Sequence, residues 1–408
     1  MKGRTAPLFL LVILSFLSPA SLAAFDFGLI LNQSVGFDGE HAEYEAALIP
    51  RFSALLGASG ELYLSASVRA VYENENWRVV PELLRSELSW RVGGRTDIGL
   101  GRIRYADPMN VIASGLFDGV RLSHHTAGGT FGIGVWYTGF LYKNRANIAM
   151  TFDDIMSINT ELDWDDFSNT YFASRRLMGA LYWNHPSLAE RVQVSVALIA
   201  QADLNDRYIA YHSQYLLAVI TLPLERFIFE LGGVAALAQE VMDGDSALYA
   251  AFAADIGLHW MPPLPFHSML SLNARLTSGR TEGGPVPISA FTPITALSYG
   301  DILRAEIPGL SIVSLGYTAR LHHAFSAALT AMHFVRSDIS TFTAYPVAPE
   351  GSSNRFLGTE FFGRLMWSPT ADMSMNLGGG IFLPSLGNVA PDAGSRWRVE
   401  LAVTFSLL

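Results

Sequence analysis

The chain has 408 residues, a formal net charge of -10, 50% hydrophobic but only 16% charged residues, and no cysteine. The acidic balance excludes a nucleic-acid partner gripped by a basic face. The lack of cysteine excludes disulfides, thiolate metal sites and a cysteine nucleophile.

Residues 1–24, MKGRTAPLFLLVILSFLSPASLAA, carry a basic start at Lys2 and Arg4, an apolar run from Leu8 to Leu17, and small residues Ser21 and Ala23 before a cut site, so a secretory leader is expected. The apolar run falls well short of the roughly 20 residues a spanning helix needs, and no later stretch is that long without polar interruption. No linker or shift in composition divides the remainder of the chain, and a single domain is expected over 25–408.

Strands are expected almost at once, at Phe27–Phe37, Tyr44–Leu56 and Glu61–Tyr72. In the third, Leu62, Leu64, Ala66, Val68 and Ala70 alternate with Tyr63, Ser65, Ser67 and Arg69, the period of two that a strand with two different faces requires. A fourth runs from about Trp77, with Pro81 expected to mark a bulge, and Thr96–Arg104 is the fifth. The stretch Phe117–Phe140 then reads as a hairpin: Val120 and Leu122 alternate with Arg121 and Ser123, Thr126–Gly129 turns, and Phe131, Ile133, Val135 and Tyr137 alternate with Gly132, Gly134, Trp136 and Thr138. Further strands are expected at Ala173–His185, Glu190–Ala202, Tyr208–Ile220, Arg226–Glu240, Ala247–Trp260, Phe266–Ser278, Ser311–Leu321, Ala324–Val335, Phe356–Trp367, Met373–Phe382 and Arg396–Leu408. That makes about sixteen to eighteen.

The connections alternate. Even-numbered ones are short (GASG, VGGR, TAGG, HPSLA, TLPLE, MPPLP, His322-His323, SPTAD), and the odd-numbered ones include every long segment: Tyr105–Leu116, Leu141–Phe172, Gly279–Gly309, Arg336–Arg355 and Leu383–Ser395. Short turns inside and long loops outside are the habit of outer-membrane barrels. The pattern predicts an all-β fold, a transmembrane antiparallel β-barrel without a plug domain, both termini on the periplasmic side, in the outer membrane of a diderm bacterium. Trp90, Trp136, Tyr137, Tyr182, Trp183, Trp260, Trp367 and Trp397 lie near strand ends and suit interfacial girdles.

Three pieces resemble the alginate-export type of outer-membrane porin: GRIRY (Gly101–Tyr105), FDGVRL (Phe117–Leu122), and GTEFFGRLMWSP followed by GGGIFLPSLG. The resemblance implies a barrel of about eighteen strands with an arginine-rich constriction, and carries Arg102, Arg104, Arg121 and Arg364 over as candidates.

The inward phase is expected to carry Arg69, Arg85, Glu87, Arg91, Arg121, Asp255, Asn273, Arg275, Arg320, Glu360, Arg364, Arg398 and Glu400, because charges cannot face lipid unpaired. The pore-lining candidates are Arg85, Glu87, Arg91, Arg102, Arg104, Arg121, Arg275, Arg320, Glu360, Arg364, Arg398 and Glu400. A barrel this wide is not filled by its own side chains, so a lumen passing small hydrophilic or charged solutes with weak selectivity is expected, with Leu141–Phe172 and Gly279–Gly309 narrowing its entrance. Asp153, Asp154, Glu161, Asp163, Asp165 and Asp166 read as a solvated surface loop, with a lid folded into the pore as the alternative. The glycines at 378–380 suit close strand contacts.

No cofactor or metal is expected. No lipase-type Gly-x-Ser-x-Gly motif is present, and an enzyme is not expected. Partners would be membrane lipid, the outer-membrane assembly machinery and small solutes, with no nucleic acid. Two alternatives stay open: a transporter of the long-chain fatty-acid type, and a surface barrel acting in adhesion or envelope structure.

Overall fold

The structure, a computed structural model, describes residues 22–73, 75–205, 209–242, 245–264, 266–281, 286–306, 308–339 and 352–407. Most of the expected leader, much of the connection Arg336–Arg355, and Leu408 lie outside the described residues. The barrel strands are β1 Leu22–Phe37, β2 Ala42–Leu56, β3 Gly60–Glu73, β4 Asn76–Val92, β5 Thr96–Ala106, β6 Ser114–Thr126, β7 Gly129–Tyr137, β8 Arg176–Leu188 and β9 Val192–Asp203. They continue as β10 Ile209–Pro223, β11 Phe227–Met242, β12 Asp245–Trp260, β13 Met269–Thr277, β14 Leu310–His322, β15 Phe325–Arg336, β16 Phe356–Thr370, β17 Met373–Leu383 and β18 Arg396–Leu407. Each pairs antiparallel with its chain neighbours in one 18-stranded sheet, and β1 pairs β18 from Leu29↔Leu407 to Phe37↔Val399, which closes the ring.

Each expected strand is present, and the alternation of connections holds. Turns at 57–59, 93–95, 127–128, 189–191, 224–226, 261–268, 323–324 and 371–372 share one end, while 107–113, 138–175, 278–309, 337–355 and 384–395 share the other.

The two phases of each strand go to different surroundings. Register sets Leu122, Ile133, Leu181, Leu198 and Leu216 side by side across β6 to β10, and every one of them is exposed. Trp397, Val399, Phe405 and Leu407 do the same on β18 while Arg398 between them is buried. A continuous apolar belt of this size is not tolerated in water; it matches a lipid-facing band.

The irregularity expected at Pro81 sits three residues further on. Pro81 pairs with Val68 in register, and the ladder to β3 slips between Ser65↔Arg85 and Ala66↔Leu83, leaving Leu84 as the extra residue. The slip has a readable cause: Trp77, Val79 and Leu83 are apolar at odd positions, Leu88, Trp90 and Val92 include even ones, and one inserted residue keeps both sets outside. Across from it Gly101 has φ +105, and a Cβ there would fall on the Ser86 carbonyl oxygen. Gly101→Ala should therefore destabilise the barrel by at least the roughly 1–3 kcal/mol of a strained backbone, read as a lower temperature for loss of the folded band on cold SDS gels. An unchanged transition would refute this account of Gly101.

Candidate functional site

Three long connections turn inward and fill much of the interior. Asp107 is buried and accepts N–H groups of Met109, Val111, Ile112 and Ala113 at 2.7–3.1 Å, so one carboxylate shapes the turn 107–113. Burial pushes this carboxyl up against those four donors. The Ile112 carbonyl accepts from Ile294 and Thr295, the Asn147 carbonyl from Ala296, and the Asn147 side-chain amide donates to the Ala296 carbonyl. Around these bonds Val111, Ile112, Leu141, Ile148, Phe291 and Ile294 join Ile103, Phe117, Trp136 and Tyr215 of the wall in one buried apolar cluster.

The acidic segment is not a solvated loop throughout. Thr151 caps the helix Phe152–Asn159 with a reciprocal Thr151–Asp154 capping box. Asp154 is fully buried, bonded to Ser174 Oγ at 2.5 Å and to the guanidinium of Arg176 at 2.6 Å; Arg176 also reaches Asp203 at 3.1 Å and the Tyr211 carbonyl at 2.9 Å. Burial alone would raise the Asp154 carboxyl, but the Arg176 charge, the Ser174 hydroxyl and the Thr151 N–H outweigh it and hold it below the usual carboxylate range. Asp165 and Asp166 stay exposed.

Residues 298–306 are tied to the wall by charge. Glu360, buried on β16, accepts the N–H groups of Asp301, Ile302 and Leu303. Arg364 binds Asp301 and lies 3.4 Å from Glu400, Arg304 reaches Glu43 at 3.5 Å, and Arg398 bonds Glu43 at 2.7 Å. Arg275 bonds Asp255 and stacks over Tyr299, 5.2 Å from its centroid. Two cavities flank this strap. One of about 400 Å³ is lined by Glu43, Glu45, Glu73, Arg304, Arg398 and Glu400; the other, about 280 Å³, includes Glu230, Asp255, Asn273, Arg275 and Tyr299.

The register puts Arg85, Glu87, Arg91, Arg121, Arg275, Arg320, Glu360, Arg364, Arg398 and Glu400 on the phase opposite the apolar belt. Arg85 pairs with Glu87 at 2.5 Å and Arg91 with Asp97 at 2.6 Å, whereas Arg121 and Arg320 have no carboxylate within 4.0 Å among the described residues. Arg102 and Arg104 do not share that face. They stand in register with Asp118 and Leu116, in phase with Leu100 and Val120, and Arg102 is spent inside the wall on Asp118. Trp136 and Tyr182, expected in the girdles, lie inward, their rings flat over Gly134 and Gly132, where a Cβ would collide with them.

The pattern had signalled nothing for Glu43, Asp301, Arg304, Arg176 and Asp107. Glu43 and Glu45 alternate with Tyr44 in β2 and could have been found by period; Asp301 and Arg304 lie in a loop, which has none.

No family model matches the chain, and no curated protein matches it by sequence. Solved structures do. OccK5 (OpdH) of Pseudomonas aeruginosa matches with a TM-score of 0.60 at 11% identity, over 95% of this chain and 98% of that one. OccK2 (OpdF) of the same organism, in complex with glucuronate, gives 0.59 at 13%, over 95% and 99%. The outer membrane protein OprD from Pseudomonas aeruginosa gives 0.58 at 11%, over 95% and 94%. These likenesses are of fold, and they correct the resemblance to the alginate-export type: the chain's shape is that of OprD and Occ proteins. The matched piece GRIRY is also no constriction, since its two arginines are on the phase of the apolar belt, Arg102 buried in the wall and Arg104 exposed.

Arg176→Met strands Asp154 and Asp203 in a buried site, and loss of such a pair costs about 3–5 kcal/mol. The variant should expose 141–172 to protease in an otherwise folded barrel; parent-like resistance would contradict the anchor. Because the Asp154 carboxyl is lowered, its contribution is complete above the ordinary aspartate value near about pH 4 and disappears as pH falls through the lowered one. Protease resistance of the parent chain should thus hold at mildly acid pH, and loss of resistance already near about pH 6 would argue against it.

Proposed function

We propose that the chain is an outer-membrane porin that gives small hydrophilic or charged solutes passive, weakly selective passage. The observation that carries this reading is the belt of both charge signs, Asp301, Arg304, Arg364, Arg398, Glu43 and Glu400, gathered where an inward-folded strap narrows an otherwise wide barrel. Paired charges at a narrowing hold water and set a transverse field, which sorts solutes by size and charge without demanding one ligand. Arg121 and Arg320, without carboxylate partners among the described residues, add an anion-favouring element. A structurally similar protein, OccK2, is in complex with glucuronate, a small charged solute of this class. In this reading the short turns face the periplasm and the long segments face outside.

Selectivity is set at the narrowest point, because surface charge beyond about 8–10 Å from the path is screened at physiological salt. In planar bilayers the parent chain should conduct with weak ion preference. Arg121→Ala should shift the reversal potential toward cations. Arg364→Ala should do the same and raise conductance as well, because it also releases Asp301. Absence of conductance at any salt, or reversal potentials unchanged in both variants, would reject the charged conduit.

A further inference from the structure

The wall is not laddered throughout its height. β4 pairs β3 from Asn76 to Trp90, but it pairs β5 only from Ser86↔Arg102 to Val92↔Thr96. Above Ser86, toward the end that carries the long segments, the two strands part. In an antiparallel ladder alternate residues bond to alternate sides, and the carbonyls of Pro81 and Leu83 are found bonded away from β3, to Tyr171 Oη at 2.7 Å and Arg102 Nη1 at 2.5 Å. Pro81 has no N–H to leave unpaired on that edge, the position in a sheet where proline is tolerated. The inserted Leu84 and the left-handed Gly101 stand at the point of divergence, and Arg102 braces it, holding Asp118 through Nε and Nη2 and the Phe140 carbonyl at 2.9 Å.

The fork is closed by side chains of the segment 138–175. Tyr142 and Tyr171 pack on the buried Val80, and Arg145 reaches Glu82 at 3.2 Å. A second short ladder behaves differently. β12 lacks a β13 partner above Ala253, but there main-chain bonds Ala250 N–H to the Pro287 carbonyl and Ser289 N–H to the Ala250 carbonyl patch the edge. Of these two gaps, the fork is the one sealed by side chains.

The β4 side of the fork and the loop beside it are apolar on the outside. Val79, Leu83 and Phe140 are exposed on the outside, Phe140 at 61%. Inside, rings continue from Tyr142 to Tyr171 at 4.9 Å, Phe167 at 4.5 Å and Trp164 at 5.6 Å, where Trp164 is 59% exposed. At the upper end of the edge Trp77 packs with Tyr44 and Tyr72, an aromatic group of the kind found at a membrane interface. From Trp77 to Leu83 the edge runs about 20 Å, on the hydrocarbon side of that band.

We propose that this fork is a lateral portal through which a single-chain alkyl amphiphile passes between the surrounding lipid and the aromatic column, with Phe140–Arg145 and Tyr171 as the movable seal. With the seal displaced, a gap about 20 Å long with Val79, Leu83 and Phe140 on its outer flank would admit an alkyl chain lengthwise. Of the charges along it, Arg102 is held by Asp118, Arg145 and Arg69 by Glu82, and Arg104 is exposed on the outward phase of β5. The proposal rests on the barrel being membrane-inserted.

The test uses the full chain in lipid vesicles containing a fatty acid with a photoreactive diazirine on its alkyl chain. Peptides holding Tyr142 and Tyr171 should be labelled. Labelling should rise in the double variant Arg102→Ala, Tyr171→Phe, and should be lost when Leu83→Cys and Phe140→Cys are joined by a short bis-maleimide, the native chain having no cysteine. Peptides of the outer belt around Leu181 and Leu198 should be labelled equally in all. If the belt is labelled but Tyr142 and Tyr171 are labelled in none, the portal is refuted. If the belt is unlabelled and bilayers show no conductance, membrane insertion has failed instead.

Discussion

Closure of the backbone ladder is the constraint on which everything else here depends. A sheet that presents one face to hydrocarbon has no water to satisfy an open edge, so β1 must find β18, and each strand between them must keep its register. Register in turn decides which phase of each strand is apolar, because a shift of one residue exchanges the faces. Leu84 is the instructive case. One extra residue in β4 lets an odd apolar phase above and an even one below both remain outside.

The ring that closes this way is too wide to be filled by its own side chains. The long segments fill much of it, and they need anchors that survive burial. The anchors are carboxylates and guanidinium groups used in two ways. Asp107 and Glu360 collect main-chain N–H groups and so determine the course of a loop. Arg176, Arg364 and Arg398 bridge carboxylates from different segments. The inner charges are therefore not a neutral lining beside a structural plug. Several of the inward charged groups also hold the strap in place.

A wall is closed only where its ladder is complete, and between β4 and β5 it is not. Main-chain bonds seal the comparable gap beside β12; tyrosine, arginine and valine side chains seal the fork. The two solutions differ in how readily they reopen, since main-chain closure fixes a segment, whereas a side-chain seal needs only rotamer changes and a shift of the loop that carries it.

The sequence by itself determined the order of about sixteen to eighteen strands, the period of two along them, and which end carries the long connections, because a two-residue period and turn residues are local properties that need no partner to be read. It also placed Arg121, Arg364, Arg398 and Glu400 opposite the apolar belt. What only the tertiary structure decided were the departures from period and the pairings at a distance. Arg102 and Arg104 obey the period of β5, but its phase past Gly101 depends on how that strand meets β6. Asp154 looks like any loop carboxylate until Arg176, distant in sequence, is brought against it. Asp301 and Arg304 belong to a segment with no period at all, and their partners Arg364 and Glu43 come from opposite ends of the chain. Nothing local encodes such contacts, because they exist only once the ring has closed.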